Sequence, residues 1–298
     1  MFMVAYLALS IIAAAIIQEF GLPYWATIIL SEVVMLTPVV LYFVAMRLRP
    51  SDLMDFGRIG IMDFIEIYIL AYTVLPLVYF LNIITMLFAE NHVDSMVVEI
   101  VKYPLIIQLF LMAFCPAVAE EFVFRGVFYG AYRKRNVLAG VILSALVFGI
   151  VHLNLNQFAY AFAMGIIFAV LAEATGSVFA PMVAHFAINA NTVFLAYIQG
   201  MSYNLEEVAA QSETVMETIP SQVLIVTLCM VFVAAVIGLL LAAVIIRHLA
   251  RKKGRLEHLQ GVFRNGMKPV DENAEKSVDI VFVVTAAAAL LYMISREL

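Results

Sequence analysis

With 298 residues, 65% of them hydrophobic and only 13% charged, and a mean hydropathy of +1.02, this chain is no soluble domain. Its net charge of −5 offers nothing to a nucleic-acid backbone. Cys115 and Cys229 fall in separate apolar segments with no C-x-x-C spacing, which argues against a disulfide framework and against a thiolate metal site.

Apolar runs of membrane-spanning length, roughly 17 to 25 residues each, recur along the whole chain. In order they are Val4–Gln18, Trp25–Met46, Phe64–Phe88, Pro104–Tyr132, Val137–Leu153, Gln157–Glu173, Val178–Tyr197, Gln222–Arg247 and Val278–Ile294, nine in all. The first lacks a basic leader and a small-residue cleavage site, so it reads as a retained helix rather than a signal peptide. The fold class expected is all-α: a polytopic membrane bundle of about eight core helices, with a ninth at the carboxyl terminus as an appendage. Three regions follow, 1–103 with the amino-terminal helices, 104–198 with the polar motifs, and 199–298 with an outer loop, the eighth span, a basic linker and the last span.

Basic residues set the expected orientation, because they favour cytoplasmic loops. Of the 17 Lys and Arg, all but Lys102, Arg125 and Arg296 follow spans two, four and eight. This predicts a cytoplasmic amino terminus and, with nine spans, an outward carboxyl terminus in a cell membrane if the source is prokaryotic. The outer loop Gln199–Ser221 carries Glu206, Glu207, Glu213 and Glu217 and no basic residue, in keeping with that. The linker Arg247–Arg264 reads as a positive-inside anchor, or as a patch for anionic headgroups. Leu256, Leu259, Val262 and Phe263 share one helical face there and suit a helix lying on the membrane.

Ionisable residues inside lipid are costly and mark function. Three sets occur: Glu120, Glu121 and Arg125 in the fourth span, His152 at the end of the fifth, and His185 with Asn189 in the seventh. Pro116 removes a backbone donor just before the acidic pair and predicts a kinked or partly unwound helix. Glu120 and Glu121 point about 100° apart on a helix. Glu121 and Arg125 are i,i+4 neighbours able to pair, which leaves Glu120 to face elsewhere as a general base. His185 and Asn189 are likewise i,i+4 and present an imidazole and an amide to one cavity. Each residue singly also fits an interhelical hydrogen bond of ~0.6 to 2 kcal/mol, or in Arg125 a snorkelling cation. The three sets together favour a meeting point, since an unpaired buried polar group costs ~1 to 3 kcal/mol. Depth is the test: His152 falls near the outer end of its span, so span five must tilt or shift for it to reach Glu120.

The order EE-x-x-x-R, then F-x-x-x-H from Phe148 to His152, then H-x-x-x-N from His185 to Asn189, resembles the CAAX protease and bacteriocin-processing (CPBP, or Abi) family of intramembrane proteases. The resemblance runs from about Pro104 to Tyr197. It implies a helical bundle around a polar conical cavity and hydrolysis of a peptide bond in a membrane-anchored substrate. Glu120 and His152 would activate the attacking water, His185 and Asn189 would stabilise the oxyanion, and Glu121, Arg125 and Phe148 would support them. No cofactor is required on this reading; Zn2+ held by Glu120, His152 and His185 is the metal-dependent alternative. A non-catalytic scaffold or immunity protein of the same fold, or a proton-coupled transporter, are the rival readings.

Overall fold

The computed structural model of the protein describes residues 2–89, 99–202, 219–266 and 280–297. It is all-helical: α1 Phe2–Phe20, α2 Tyr24–Met46, α3 Ile61–Thr85, α4 Leu105–Tyr132, α5 Val137–Ile150, α6 Leu155–Thr175, α7 Phe179–Ser202, α8 Ser221–Lys252, α9 Leu256–Asn265 and α10 Ile280–Glu297. Among the described residues seven helices, α1 to α4 and α6 to α8, are long and apolar enough to cross a membrane. The two remaining expected spans, α5 and α10, are shorter apolar helices. The acidic outer-loop residues 206, 207, 213 and 217 lie outside the described residues, as do Lys268 and Lys276 of the linker.

Helix α4 is continuous but not uniform. Two wide π-helical stretches, Phe110–Phe114 and Phe122–Phe128, flank the regular turns Cys115–Glu121. Pro116 lacks the N–H that would bond Met112, and Met112 lies in the first wide stretch. The missing bond is absorbed by widening the helix rather than unwinding it. The second stretch holds Arg125.

Two apolar clusters hold the bundle together. One joins α3, α6, α7, α8 and α9 around Ile67, Leu70, Phe168, Leu171, Ile188 and Leu249. The other joins α1, α2, α4, α5 and α10 around Met35, Val39, Phe124, Phe148 and Ile150. Without a strong hydrophobic drive between helices in lipid, close approach matters most. Gly238 of α8 meets the α3 backbone so closely that a Cβ there would lie 2.0 Å from the Thr73 carbonyl oxygen. Helix α10 packs on α1 and α5 through Ala286 and Ala289.

The loops after α2, α4 and α8 do meet at one end of the bundle. Lys134 Nζ donates to the Asp52 carbonyl at 2.8 Å, Arg133 pairs with Asp55 at 2.8 Å, and Lys253 pairs with Asp63 at 2.6 Å. The segment 55–57 runs beside the α6–α7 turn, with Gly57 N–H donating to the Gly176 carbonyl and Val178 N–H to that of Asp55, both at 2.9 Å. Helix α9 departs from the expected surface helix. Leu259 is 5% exposed and packs with Leu256 against Ile246, Leu249 and Ala250, so its apolar face is docked on protein.

Candidate active site

Glu121 is the hub. Its Oε1 accepts from Arg125 Nη1 at 3.0 Å, one turn along α4, and from His185 Nδ1 of α7 at 2.9 Å. All three side chains are buried, so neither link is weakened by water. The other ring nitrogen of His185, Nε2, lies 3.8 Å from Glu120 Oε2. The predicted i,i+4 pair therefore forms even though the turns after Glu121 are π-helical, and the 100° offset between the two glutamates places one on each side of the imidazole.

Arg125 is held by rings from both apolar clusters. Its Cζ lies 4.2 Å from the Phe148 ring centre and 5.3 Å from that of Phe168. Cation–π contact of this kind is worth most where water is excluded. The approach of α5 to α6 that permits it depends on Gly165, where a Cβ would lie 2.8 Å from Ala145 Cα and 3.3 Å from Arg125 Nη2. Phe148 is the shared wall: its ring also lies edge-on to His152 at 5.2 Å and to His185 at 6.0 Å, and Phe168 stacks on His185 at 5.3 Å.

His152 sits in the turn just past α5, and its Nδ1 lies 2.7 Å from the Phe148 carbonyl oxygen. Among the described residues no hydrogen bond or ion pair joins His152 to Glu120, and helix length sets their relative depth. The 14 residues of α5 reach ~21 Å, against ~30 Å of hydrocarbon, so the turn ends inside the bundle. Glu120, twelve residues before the end of α4, lies ~18 Å from the same end. The turn is pinned from three sides. Tyr6 Oη of α1 donates to the Val151 carbonyl at 3.0 Å, Asn154 caps α6 by accepting from Gln157 N–H at 2.7 Å, and Asn156 Nδ2 donates to Thr85 Oγ1 of α3 at 2.8 Å. The asparagines beside His152 are thus anchors of the turn.

Asn189 lies one turn beyond His185 on α7, half-buried and with no hydrogen bond to another described residue. Glu120 Oε2 and Glu121 Oε2 are buried and likewise unpartnered, as are Arg125 Nε and Nη2. The site thus holds both acceptors and donors that the protein itself leaves open.

The zinc set is not assembled. Among the described residues no group of three or more His, Cys, Asp or Glu side chains is placed to hold a metal ion. Zinc–nitrogen bonds of ~2.1 Å need ring nitrogens aimed at one point. His152 and His185 each have Nδ1 engaged, by a carbonyl and by Glu121, but their free Nε2 atoms and Glu120 are not gathered around one point. Glu120, His152 and His185 in this arrangement do not fit zinc.

Two residues escaped the sequence reading. Glu32 of α2 has a buried, unpartnered Oε2 and lies within electrostatic reach of Glu120. Its signal was present, a carboxylate inside an apolar span. Glu173 sits at the end of span six, where it read as a boundary. It is 3% exposed and is surrounded by donors: Tyr129 Oη, Arg133 Nη1 at 3.2 Å, Arg255 Nη2 at 2.7 Å and His258 Nε2 at 2.5 Å. No spacing rule links residues so far apart in sequence.

Residues 102–191 match the family model described as type II CAAX prenyl endopeptidase Rce1-like. The chain is also 32% identical over 99 residues to the Bacillus subtilis (strain 168) protein named "Putative membrane peptidase YdiL". That match covers 33% of this chain and 40% of the relative, so the chain spans about two fifths of the relative's length. No solved structure matches significantly. The matched segment contains every residue of the Glu121 hub, and over it this membrane protein is similar to the type II CAAX prenyl endopeptidases and to a membrane peptidase of that kind.

Proposed function

We propose that the protein is an intramembrane endopeptidase that hydrolyses a peptide bond in a membrane-anchored substrate, with the basic end of the bundle at the cytoplasmic face. The observation that supports it most is the division of labour between adjacent glutamates. Glu121 is committed to Arg125 and His185, while Glu120 keeps a buried oxygen free 3.8 Å from His185 Nε2.

On this reading Glu120, with His152, takes a proton from a water molecule whose oxygen attacks the scissile carbonyl carbon. His185 turns Nδ1 to Glu121 and its Nε2 edge to the oxyanion, with the Asn189 amide as the second donor. Glu121 and Arg125 position the imidazole, the role that a hydrogen-bonded carboxylate plays for a working histidine. The proton held by Glu120 passes to the leaving nitrogen as the C–N bond breaks, giving a carboxylic acid and an amine. No serine or cysteine nucleophile enters, and no step passes through a metal.

The test is cleavage of a library of membrane-anchored peptides in liposomes by the purified protein beside Glu120→Ala. Cleavage by the unaltered protein alone supports the assignment. Full activity in Glu120→Ala removes Glu120 as the base, and cleavage by neither favours a scaffold or a carrier.

A further inference from the structure

The interior beside the site carries more carboxylates than cations. Glu120 and Glu121 of α4 and Glu32 of α2 are its acids, and Arg125 is its guanidinium, already paired with Glu121. His185 stands between Glu121 and Glu120. Glu32 is left with no cation and no hydrogen-bond donor among the described residues, and its Oε2 is shut away from solvent.

Its placement follows from the packing of α2. Met35 and Val39, three and seven positions after Glu32 and so on the same helical face, are 5% and 2% exposed and pack with Ala119 and Val123 of α4. That face directs Glu32 toward the α4 turn that bears Glu120. The two carboxylates lie within electrostatic reach of each other, and Tyr6 and Cys115 lie within reach of Glu32. A carboxyl group at this depth is costly to ionise with nothing to neutralise it, and a buried acid is retained in lipid where it handles a cation or a ligand. The neighbouring side chains cannot supply the charge: Tyr6 donates to the Val151 carbonyl, and Arg125 is turned to Glu121 between Phe148 and Phe168.

We infer that Glu32 is a specificity residue that receives a Lys or Arg side chain of the substrate close to the bond cleaved. The inference rests on the peptidase reading above and adds the charge of the peptide it selects. Glu120 remains the base, and Glu32 supplies the counter-charge that draws a basic residue into the same interior. A neutral residue there leaves Glu32 as it is in the free protein, while an acidic one adds a like charge, so the site discriminates by attraction for Lys or Arg and by repulsion of Asp or Glu.

The experiment uses the full chain in liposomes and one family of membrane-anchored peptides. They differ only by Lys, Met or Glu at each of the positions flanking the bond cleaved. The unaltered protein is expected to favour Lys over Met by about tenfold or more in kcat/KM at one position, and Glu32→Gln to bring that ratio near one. A Lys preference that persists in Glu32→Gln, or none in the unaltered protein, overturns the inference. Binding of the same peptides to Glu120→Gln, read by fluorescence anisotropy, separates the two readings. If nothing is cleaved yet Lys peptides bind more tightly and Glu32→Gln abolishes the difference, the peptidase assignment fails and the recognition role stands. If neither cleavage nor binding depends on the basic residue, Glu32 has no such role. Removing a buried unpaired charge is not expected to harm folding.

Discussion

Two buried carboxylate clusters lie on neighbouring helices of this bundle and differ in how completely they are satisfied. Around Glu173, Tyr129, Arg133, Arg255 and His258 all converge on one side chain, and Arg255 Nε also donates to the Glu173 backbone carbonyl at 2.6 Å. Around Glu120 and Glu121 the ledger is open, with a free oxygen on each, two free guanidinium nitrogens on Arg125 and an unbonded amide on Asn189. Both clusters meet the expense of burying charge, but by different means. The saturated one ties the α4–α5 corner, α6 and the linker helix into one end of the bundle, and the open one holds its groups ready for a ligand. On the proposed reading, saturation marks architecture here and shortfall marks chemistry.

The comparison breaks most sharply at Glu120. Glu120→Ala should cost ~10²- to 10⁴-fold in cleavage of a membrane-anchored peptide while thermal unfolding in detergent is unchanged or raised. A large loss of stability would mean that this cluster too is structural.

Arg125→Ala comes next and should act on both sides. It leaves Glu121 buried beside a single imidazole, a loss of ~3 to 5 kcal/mol for a broken buried pair, with activity falling as His185 loses its fixed position. Cleavage assays and unfolding measured on the same preparations check it. Activity lost with stability intact would assign Arg125 to the chemistry itself.

Glu173→Ala should show the reverse pattern. It removes the carboxylate shared by Tyr129, Arg133, Arg255 and His258, leaving Arg133 with Asp55 and Arg255 with the backbone carbonyl, and loosens the docked linker helix, so a stability loss of ~1 to 3 kcal/mol is expected with kcat within a few-fold of the unaltered protein. Limited proteolysis near α9, read beside kinetics, reports both. A collapse of kcat without unfolding would couple the basic end to the site.

The smallest effect concerns metal. Since Glu120, His152 and His185 do not converge as ligands, exhaustive chelation should leave cleavage unaltered. Loss of activity that added zinc restores would show that the side chains rearrange around an ion.

Much of this arrangement could be read along the chain because it is local. The Glu121–Arg125 pair is an i,i+4 relation, the disturbance of α4 beside Pro116 follows from a missing N–H, and the long spans follow from runs of apolar residues. What was misread depended on length or distance. Helix α5 was expected to reach Leu153 and ends at Ile150. Linker residues Leu256 and Leu259 were expected on lipid and are packed on Leu249 and Ala250 instead. Distance also hid the partners of that linker's basic residues: Lys252, Lys253 and Arg255 pair with Asp63, Glu66 and Glu173. Glu32 was overlooked because one carboxylate in a span carries no spacing that names its partner.

By itself the amino-acid sequence determined the solvent and the all-helical class, because every backbone group in lipid must be satisfied by helices or a closed barrel, and continuous apolar runs of ~17 to 25 residues are those of helices. It also marked the polar residues of spans four, five and seven as costly, though not Glu32 or Glu173. Tertiary structure alone decided that His185 sits between the two glutamates, that Phe148 and Phe168 close on Arg125 from opposite clusters, and that Glu173 became a clasp while Glu32 remained unpaired. Those outcomes depend on helix depth, tilt and rotation, which are set by packing between segments far apart in the chain, and hydropathy is nearly blind to all three.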